Sequence, residues 1–375
     1  MRIVVDQDLH LQQLPVPADW ELVKREGRLI SNSDVKDADA LLIRSVTRVN
    51  AELLHNSRIR FVGTATSGLD HIDRDYLEAN TIYLADAAGS NANAVTDYCL
   101  AALAFAILHR GLQIADARIA VIGAGHVGGL LVHKLRRLGL QPLVCDPPLQ
   151  QNGAPGEFCT LEEAARCDVV SLHVPLEESG EHRTRALINT DILSSMPASG
   201  VLINSCRGEV IDEAALRKHL QDNELFTVVL DVWQNEPRIN PVMMALADIA
   251  TPHIAGYSAR AKDEAAARIV GALKRFYGIE TYSADTHVGS GNWDAGQGTI
   301  GLGCRSAWDT MLQHFDLPKL TSEFRQVYKS GYEKQAFDAM RRQLAGRREF
   351  RETVLRDVPE EAAGLLGALG FRLES

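Results

Sequence analysis

Nowhere in this chain do 18 apolar residues follow one another, so no membrane-spanning helix is expected. Positive charge is not in excess either. Asp and Glu outnumber Lys and Arg by 49 to 39, and the net charge is −10. Such a surface argues against nucleic acid or an anionic membrane as the main partner, although it leaves room for a local basic pocket. The six cysteines form no C-x-x-C pair, and no cluster has metal-ligand spacing, so no metal centre is expected. They are scattered at Cys99, Cys145, Cys159, Cys167, Cys206 and Cys304, several inside apolar stretches, and read as reduced, small hydrophobes. No repeat, low-complexity tract or signal-peptide pattern is read, and a cytoplasmic location is the expectation. Aromatics are only 6% of the residues, but the hydrophobic share is 46%, enough aliphatic core for two or three domains.

What is present begins with Gly123-Ala-Gly125-His126-Val127-Gly128. It lies between an apolar strand, Ile119 to Ile122, and a helical run to Leu138. In that setting G-x-G-x-x-G has a physical meaning. The first glycine permits the tight turn, the second lets a pyrophosphate approach the backbone, and the third lets helix and strand pack closely. The helix N-terminus then faces the phosphates. A second strand, Gln141 to Cys145, ends at Asp146, where a carboxylate would hold the ribose hydroxyls of NAD and repel the 2′-phosphate of NADP. His126 could meet the pyrophosphate or be a tolerated variable position.

Upstream, Arg2–Val5, Ala40–Ile43, Arg60–Thr64 and Thr81–Leu84 read as strands of a small parallel α/β layer. Asn93 to His109 reads as a long helix, apolar on most faces and therefore buried. Beyond the glycine fingerprint, strands are expected at Asp168–Leu172, Gly200–Asn204, Phe226–Leu230 and Asp248–Ala250, alternating with helices. A charged, alanine-rich helix from Ser258 to Tyr277 could return to the first layer. Thr281 to Thr299 reads as a long loop, and Leu317 to Ser375 as helical and strand-like pieces. The expected architecture is α/β. It has a Rossmann-type doubly wound parallel sheet in 93–255, a flavodoxin-like α/β substrate domain in 1–92 plus 256–280, and an accessory C-terminal α+β domain in 281–375.

Ligands on a doubly wound sheet sit at the carboxyl ends of its strands. The residues that follow those ends are Asp146, His173 to Pro175, Ser205-Cys206-Arg207, Asp231 and His253. Arg207 suits a substrate carboxylate, because its planar fork makes two parallel charge-assisted bonds. His253 suits proton exchange with a hydroxyl. Glu236 beside it would favour the imidazolium. With a nicotinamide ring these are the parts for oxidising a 2-hydroxy acid. Spacing alone leaves open that Arg207 caps a turn and that Glu236 and His253 are solvated.

The chain resembles the D-isomer-specific 2-hydroxyacid dehydrogenases over roughly residues 35–278. The matching pieces are Gly63 to Asp73, Ala92 to Asp97, the glycine fingerprint with Asp146, Asp168 to Leu176, Leu202 to Glu209, Leu230 to Pro237 and Thr251 to Gly256. The resemblance implies Arg207, Glu236 and His253 as the catalytic residues and NAD as cofactor. It implies that Asp146 and Asp231 contact NAD with Gly256 close by, in a site also bounded by His173, Pro175 and Cys206. Arg44-Ser45-Val-Thr47, Pro252 to Ser258 and Phe324 to Phe337 resemble a branch of the family whose C-terminal extension forms a dimer interface. In that branch Ser45, Thr66 and Tyr257 would contact a substrate that carries both a carboxylate and a phosphate. Arg44 and Arg48 are candidates for the phosphate. The tail arginines Arg341, Arg342, Arg347 and Arg348 read as solvated, or as reaching a site across a dimer. A dehydrogenase for another D-2-hydroxy acid, or an NAD-sensing binding protein, remains as an alternative.

Overall fold

A computed structural model describes residues 1–11, 14, 16–279, 303–329 and 331–374. The loop expected at Thr281–Thr299 lies outside the described residues. The chain forms two compact units. One holds Met1–Asn91 with the described part of Ala259–His287, and the other holds Ala92–Ser258 with the described part of Val288–Ser375.

The first unit is a five-stranded parallel sheet of β1 (Arg2–Asp6), β2 (Glu21–Arg25), β3 (Ala40–Ile43), β4 (Phe61–Thr64) and β5 (Tyr83–Ala85). Its order, β2-β1-β3-β4-β5, is the flavodoxin-like one. β3 and β4 are buried along their whole length, as parallel strands covered on both faces must be. The helix Ala259–Phe276 covers one face with Ala266, Ile269, Val270 and Leu273. β2 was not anticipated. It is an edge strand whose ends, Glu21, Lys24 and Arg25, are exposed, so its sequence carries no apolar run.

The second unit is built on β6 (Ile119–Ile122), β7 (Leu143–Cys145), β8 (Val169–Leu172), β9 (Val201–Asn204), β10 (Thr227–Leu230) and β11 (Ile249–Ala250). All pairs are parallel, in the order β11-β10-β9-β8-β6-β7. This is the doubly wound arrangement with its outermost strand reduced to one backbone bond, from Cys159 N to the Val144 carbonyl at 2.8 Å. The helix Ala92–His109 is long and apolar enough to cross a membrane by length and composition, with mean hydropathy 1.3, but 78% of it is buried. It packs against the helices His126–Arg137 and Arg305–His314 as a core element of the unit.

The described C-terminal residues cluster with this second unit rather than standing apart as a third. Helices Arg305–His314, Leu317–Val327, Glu333–Gln343 and Glu360–Leu369, with the parallel pair β12 (Val354–Arg356) and β13 (Arg372–Glu374), make up the segment. Trp308, Phe315, Phe324, Phe337 and Phe350 are fully buried in the core that also holds β6 to β11. Five of the chain's 22 aromatic residues are thus spent on fastening this segment. Asp97 adds a polar tie. One carboxylate oxygen accepts from Lys134 Nζ at 3.0 Å and the other from the Phe350 backbone N–H at 2.8 Å, both inside the core.

Candidate active site

The glycine loop follows β6 and opens the helix His126–Arg137. Each glycine has a separate steric reason. Gly123 has φ +86°, and a Cβ there would lie 2.6 Å from the His173 carbonyl oxygen. A Cβ on Gly128 would lie 1.9 Å from the Gly123 carbonyl oxygen, so only glycine permits that closure. Gly125 meets nothing within 4 Å, which leaves open space where a pyrophosphate must reach backbone amides. His126 is exposed and Val127 half-buried beside it. Asp146 closes the loop: Oδ2 accepts from Ala124 N at 2.7 Å, and Oδ1 accepts from Leu149 N at 3.0 Å, capping the helix Pro147–Gln151. A carboxylate oxygen accepts more than one bond, so a half-buried Asp146 still fits the ribose hydroxyls. The residues present fit NAD.

On the neighbouring strands, His173 follows β8 and bonds through Nε2 to Ser171 Oγ at 2.8 Å. It is packed in protein, and desolvation pushes its pKa down to about 3, so the ring is neutral. Pro175 is exposed just beyond it, with its carbonyl accepting from Thr184 Oγ1. Cys206 is nearly buried; its backbone N–H and its thiol both point to Asn204 Oδ1 at 3.1 Å. Burial pushes that thiol up to about 11.

β9, β10 and β11 are adjacent in the sheet, so Arg207, Glu236 and His253, which follow their carboxyl ends, are carried to one end of the unit. Arg207 is half-buried, and its Nη1 donates to the Cys206 carbonyl at 2.7 Å. The turn after it is packed so closely that a Cβ on Gly208 would lie 2.0 Å from the Trp233 carbonyl carbon. Glu236 Oε2 stands 2.9 Å from His253 Nδ1, while its Oε1 accepts from Trp233 N at 3.0 Å. Burial by itself would raise the Glu236 carboxyl. The His253 charge and hydrogen bond, the Arg341 guanidinium and the Trp233 N–H outweigh it and hold the group below the usual carboxylate range. The imidazole is 39% exposed, its Nδ1 oriented by the carboxylate and its ring open to a reactant.

His253 sits at φ +56°, in the left-handed region. Asp231 holds it there. The His253 N–H donates to the Asp231 carbonyl at 2.7 Å; Asp231 Oδ1 accepts from Ile254 N and Thr251 Oγ1, and Oδ2 from Ala255 N. Thr251 Oγ1 also meets the Tyr98 hydroxyl at 2.7 Å. Asp231 is fully buried, and desolvation raises its carboxyl above the ordinary value. Asp231 thus has a structural task, pinning the histidine loop, beside the NAD contact expected of it. Gly256 and Tyr257, half-buried, continue that loop.

Among the substrate candidates, Thr66 and Ser45 lie in the first unit. Ser45 is exposed, and Thr66 Oγ1 bonds Thr64 Oγ1 at 2.8 Å and the Gly68 carbonyl at 2.9 Å. Arg44 departs from expectation. Its Nε and Nη2 donate to the two oxygens of the fully buried Asp6 at 2.9 and 3.1 Å, and Nη2 also donates to Asp8 at 2.6 Å. The fork expected to take a phosphate is committed to two carboxylates, because β1 and β3 are neighbours and bring Asp6 beside it. Arg48 is exposed. Two tail arginines expected to be solvated are not. Arg347 donates to the carbonyls of Tyr257, Ala255 and Ala94 and lies 4.2 Å over the Phe315 ring. Arg341 reaches the Glu236–His253 pair itself. Only a sequence-distant fold contact brings them there, and no motif announces it.

A hydride-transfer dehydrogenase acting on hydroxy acids is the class this sheet and triad define. The NAD-binding-domain model of the D-isomer specific 2-hydroxyacid dehydrogenases matches residues 104–255. The chain belongs to this family, and NAD is its cofactor. Within it the similarity runs over the whole length to erythronate-4-phosphate dehydrogenases. That of Marinomonas sp. (strain MWYL1) is 35% identical over 384 residues, covering 100% of both chains. That of Pseudomonas putida (strain GB-1) is 37% identical over 385 residues, again covering 100% of both. The enzyme from Hahella chejuensis is 42% identical over 279 residues, 74% of this chain and 73% of that protein. The fold is shared with NAD+-bound 3-phosphoglycerate dehydrogenase of Entamoeba histolytica, with TM-score 0.62 and 22% identity, covering 74% of this chain and 95% of that one. It is shared too with D-lactate dehydrogenase of Aquifex aeolicus, with TM-score 0.60 and 23% identity, covering 74% and 96%.

Proposed function

We propose that this protein catalyses the NAD-dependent oxidation of 4-phospho-D-erythronate to (R)-3-hydroxy-2-oxo-4-phosphooxybutanoate, a step of pyridoxal phosphate biosynthesis. The observation that carries the reading is the match to erythronate-4-phosphate dehydrogenases over 100% of both chains, C-terminal segment included, where the lactate and phosphoglycerate enzymes share 74% of this chain. His253 is the base that takes the hydroxyl proton, and the acid when the reaction runs backward. Glu236 orients its ring and stabilises the imidazolium that forms. Arg207 holds the carboxylate with its fork. Bound NAD supplies the hydride acceptor. Ser45, Thr66 and Tyr257 are assigned to the substrate on family resemblance. Exposed Val327, Tyr332, Val354 and Leu373 in the C-terminal segment support a homodimer contact there. The free cysteines suit a reducing, cytoplasmic setting.

The test is turnover of 4-phospho-D-erythronate with NAD, with and without a 2-oxo acid acceptor, beside D-lactate and D-glycerate. Selective formation of the 2-oxo phosphate supports the assignment. Activity with only the controls keeps the family and discards the substrate. No turnover with any of them, by protein that binds NAD and whose His253→Gln variant keeps a partner, supports a sensor instead.

A further inference from the structure

Arg341 lies on the C-terminal helix Glu333–Gln343, outside every motif that defines the triad. Its Nη2 is 3.6 Å from Glu236 Oε2, the same oxygen that meets His253 Nδ1 at 2.9 Å. Its Nε donates to the Pro252 carbonyl at 3.0 Å, on the peptide that leads into His253. The guanidinium carbon stands 5.8 Å from the centre of the Tyr257 ring and 5.2 Å from that of Phe337. The side chain is 24% exposed, so these contacts fix it rather than leave it to solvent. One cation thus grips the carboxylate, the backbone and the aromatic ring of the catalytic loop.

We propose that Arg341 is a positioning residue that sets the working pH of His253 by sharing Glu236 with it. The proposal rests on the reading of His253 as the base. An oxidation needs that base unprotonated before the hydroxyl arrives. Glu236 and Asp231, both in the segment after β10, are the carboxylates on the His253 side, Glu236 through its 2.9 Å bond to Nδ1 and Asp231 through the backbone of the histidine loop. Arg341 faces Glu236 from the C-terminal helix as a cation and holds that carboxyl down, so it competes with the imidazole for the same oxygen. The guanidinium also holds the Glu236 oxygen and the Pro252 carbonyl in place, so the imidazole keeps its orientation while its charge is moderated. The C-terminal segment thereby contributes to chemistry within its own chain.

The experiment compares Arg341→Met and Arg341→Lys with the unaltered full-length protein. Two readouts are taken: the acid limb of kcat/KM for oxidation, and the titration midpoint of the His253 imidazole by NMR without substrate. Arg341→Met should move both upward by about 0.5–1 pH unit, while Arg341→Lys keeps most of the charge and restores most of the position. The KM for NAD should stay within about twofold in both, because the glycine loop is built from other strands. Unmoved midpoints in Arg341→Met, or equal behaviour of the Lys and Met variants, overturn the proposal. If Arg341→Met melts below the assay temperature, Arg341→Gln read by NMR in the cold decides by the same shift. The NMR readout needs no turnover, so failure of the substrate assignment would appear as inactive unaltered protein with the histidine shift intact.

Discussion

Replacing Arg44 by alanine separates two roles for one arginine: phosphate ligand or internal ion-pair partner. Asp6, at the end of β1, is 0% exposed, and its oxygens accept from Arg44 at 2.9 and 3.1 Å and from Asp8 N at 3.0 Å. Without the guanidinium the carboxylate keeps only that one backbone donor and whatever water enters. Breaking a buried pair by removing one partner costs about 3–5 kcal/mol. Arg44 itself is 34% exposed, which lets water replace part of the lost solvation, so roughly 2–3 kcal/mol is the expectation. For a unit of this size that is a drop in Tm of roughly 8–12 °C. The assay is thermal and urea melting followed by the fluorescence of Trp20, which is buried in the same unit. Adding Asp6→Asn should recover part of the loss, since the stranded charge is then gone. Alongside, KM is measured for the phosphorylated substrate and for erythronate. A variant that melts like the unaltered protein, but loses tenfold or more in KM for the phosphorylated substrate alone, would refute the ion-pair reasoning.

Gly128→Ala should abolish NAD binding and leave the first unit folded, because its Cβ would lie 1.9 Å from the Gly123 carbonyl oxygen and force the loop open; NAD titration by calorimetry checks it, and binding within tenfold of normal contradicts it. The buried thiols make stability alkali-sensitive. Cys99 and Cys145 are pushed up to about 12 and Cys206 to about 11 by burial, so each stays neutral in the fold while the unfolded chain ionises near 9. A raised folded value means stability that is fully present below about pH 9 and lost as pH rises towards 11–12. The urea midpoint should fall over that window, less steeply in Cys99→Ala; an identical slope in the variant counts against the assignment.

Much of the site was legible because its chemistry is local. G-x-G-x-x-G works in part through a steric exclusion between residues five apart, visible where a Cβ on Gly128 would meet the Gly123 carbonyl, and through the positive φ of Gly123. β3, β8, β9 and β10 were legible as short buried apolar runs, because a parallel sheet covered on both faces needs them. β2 was not, because half of an edge strand faces water. The family resemblance carried the triad further than spacing did, since a lone His253 and a lone Glu236 each have ordinary surface explanations until a 2.9 Å bond joins them.

The fates of the charged side chains are where sequence stopped and tertiary structure decided. Sequence by itself determined the alternating α/β order and the nucleotide loop, because each shows in residues a few positions apart, and the acid at Asp146, because it ends the strand that follows the glycine loop and its helix. It could not determine that Arg44 would be spent on Asp6, that Asp231 would vanish into the core beneath the histidine loop, or that Arg341 would reach Glu236. Nor could it tell that the C-terminal segment would merge with the nucleotide-binding unit through Trp308, Phe315 and Phe350. An arginine carries the same charge in water, in a substrate pocket and over a buried carboxylate. Which of these it meets is set by strand order and helix docking across tens to hundreds of residues, and only the folded chain contains that information.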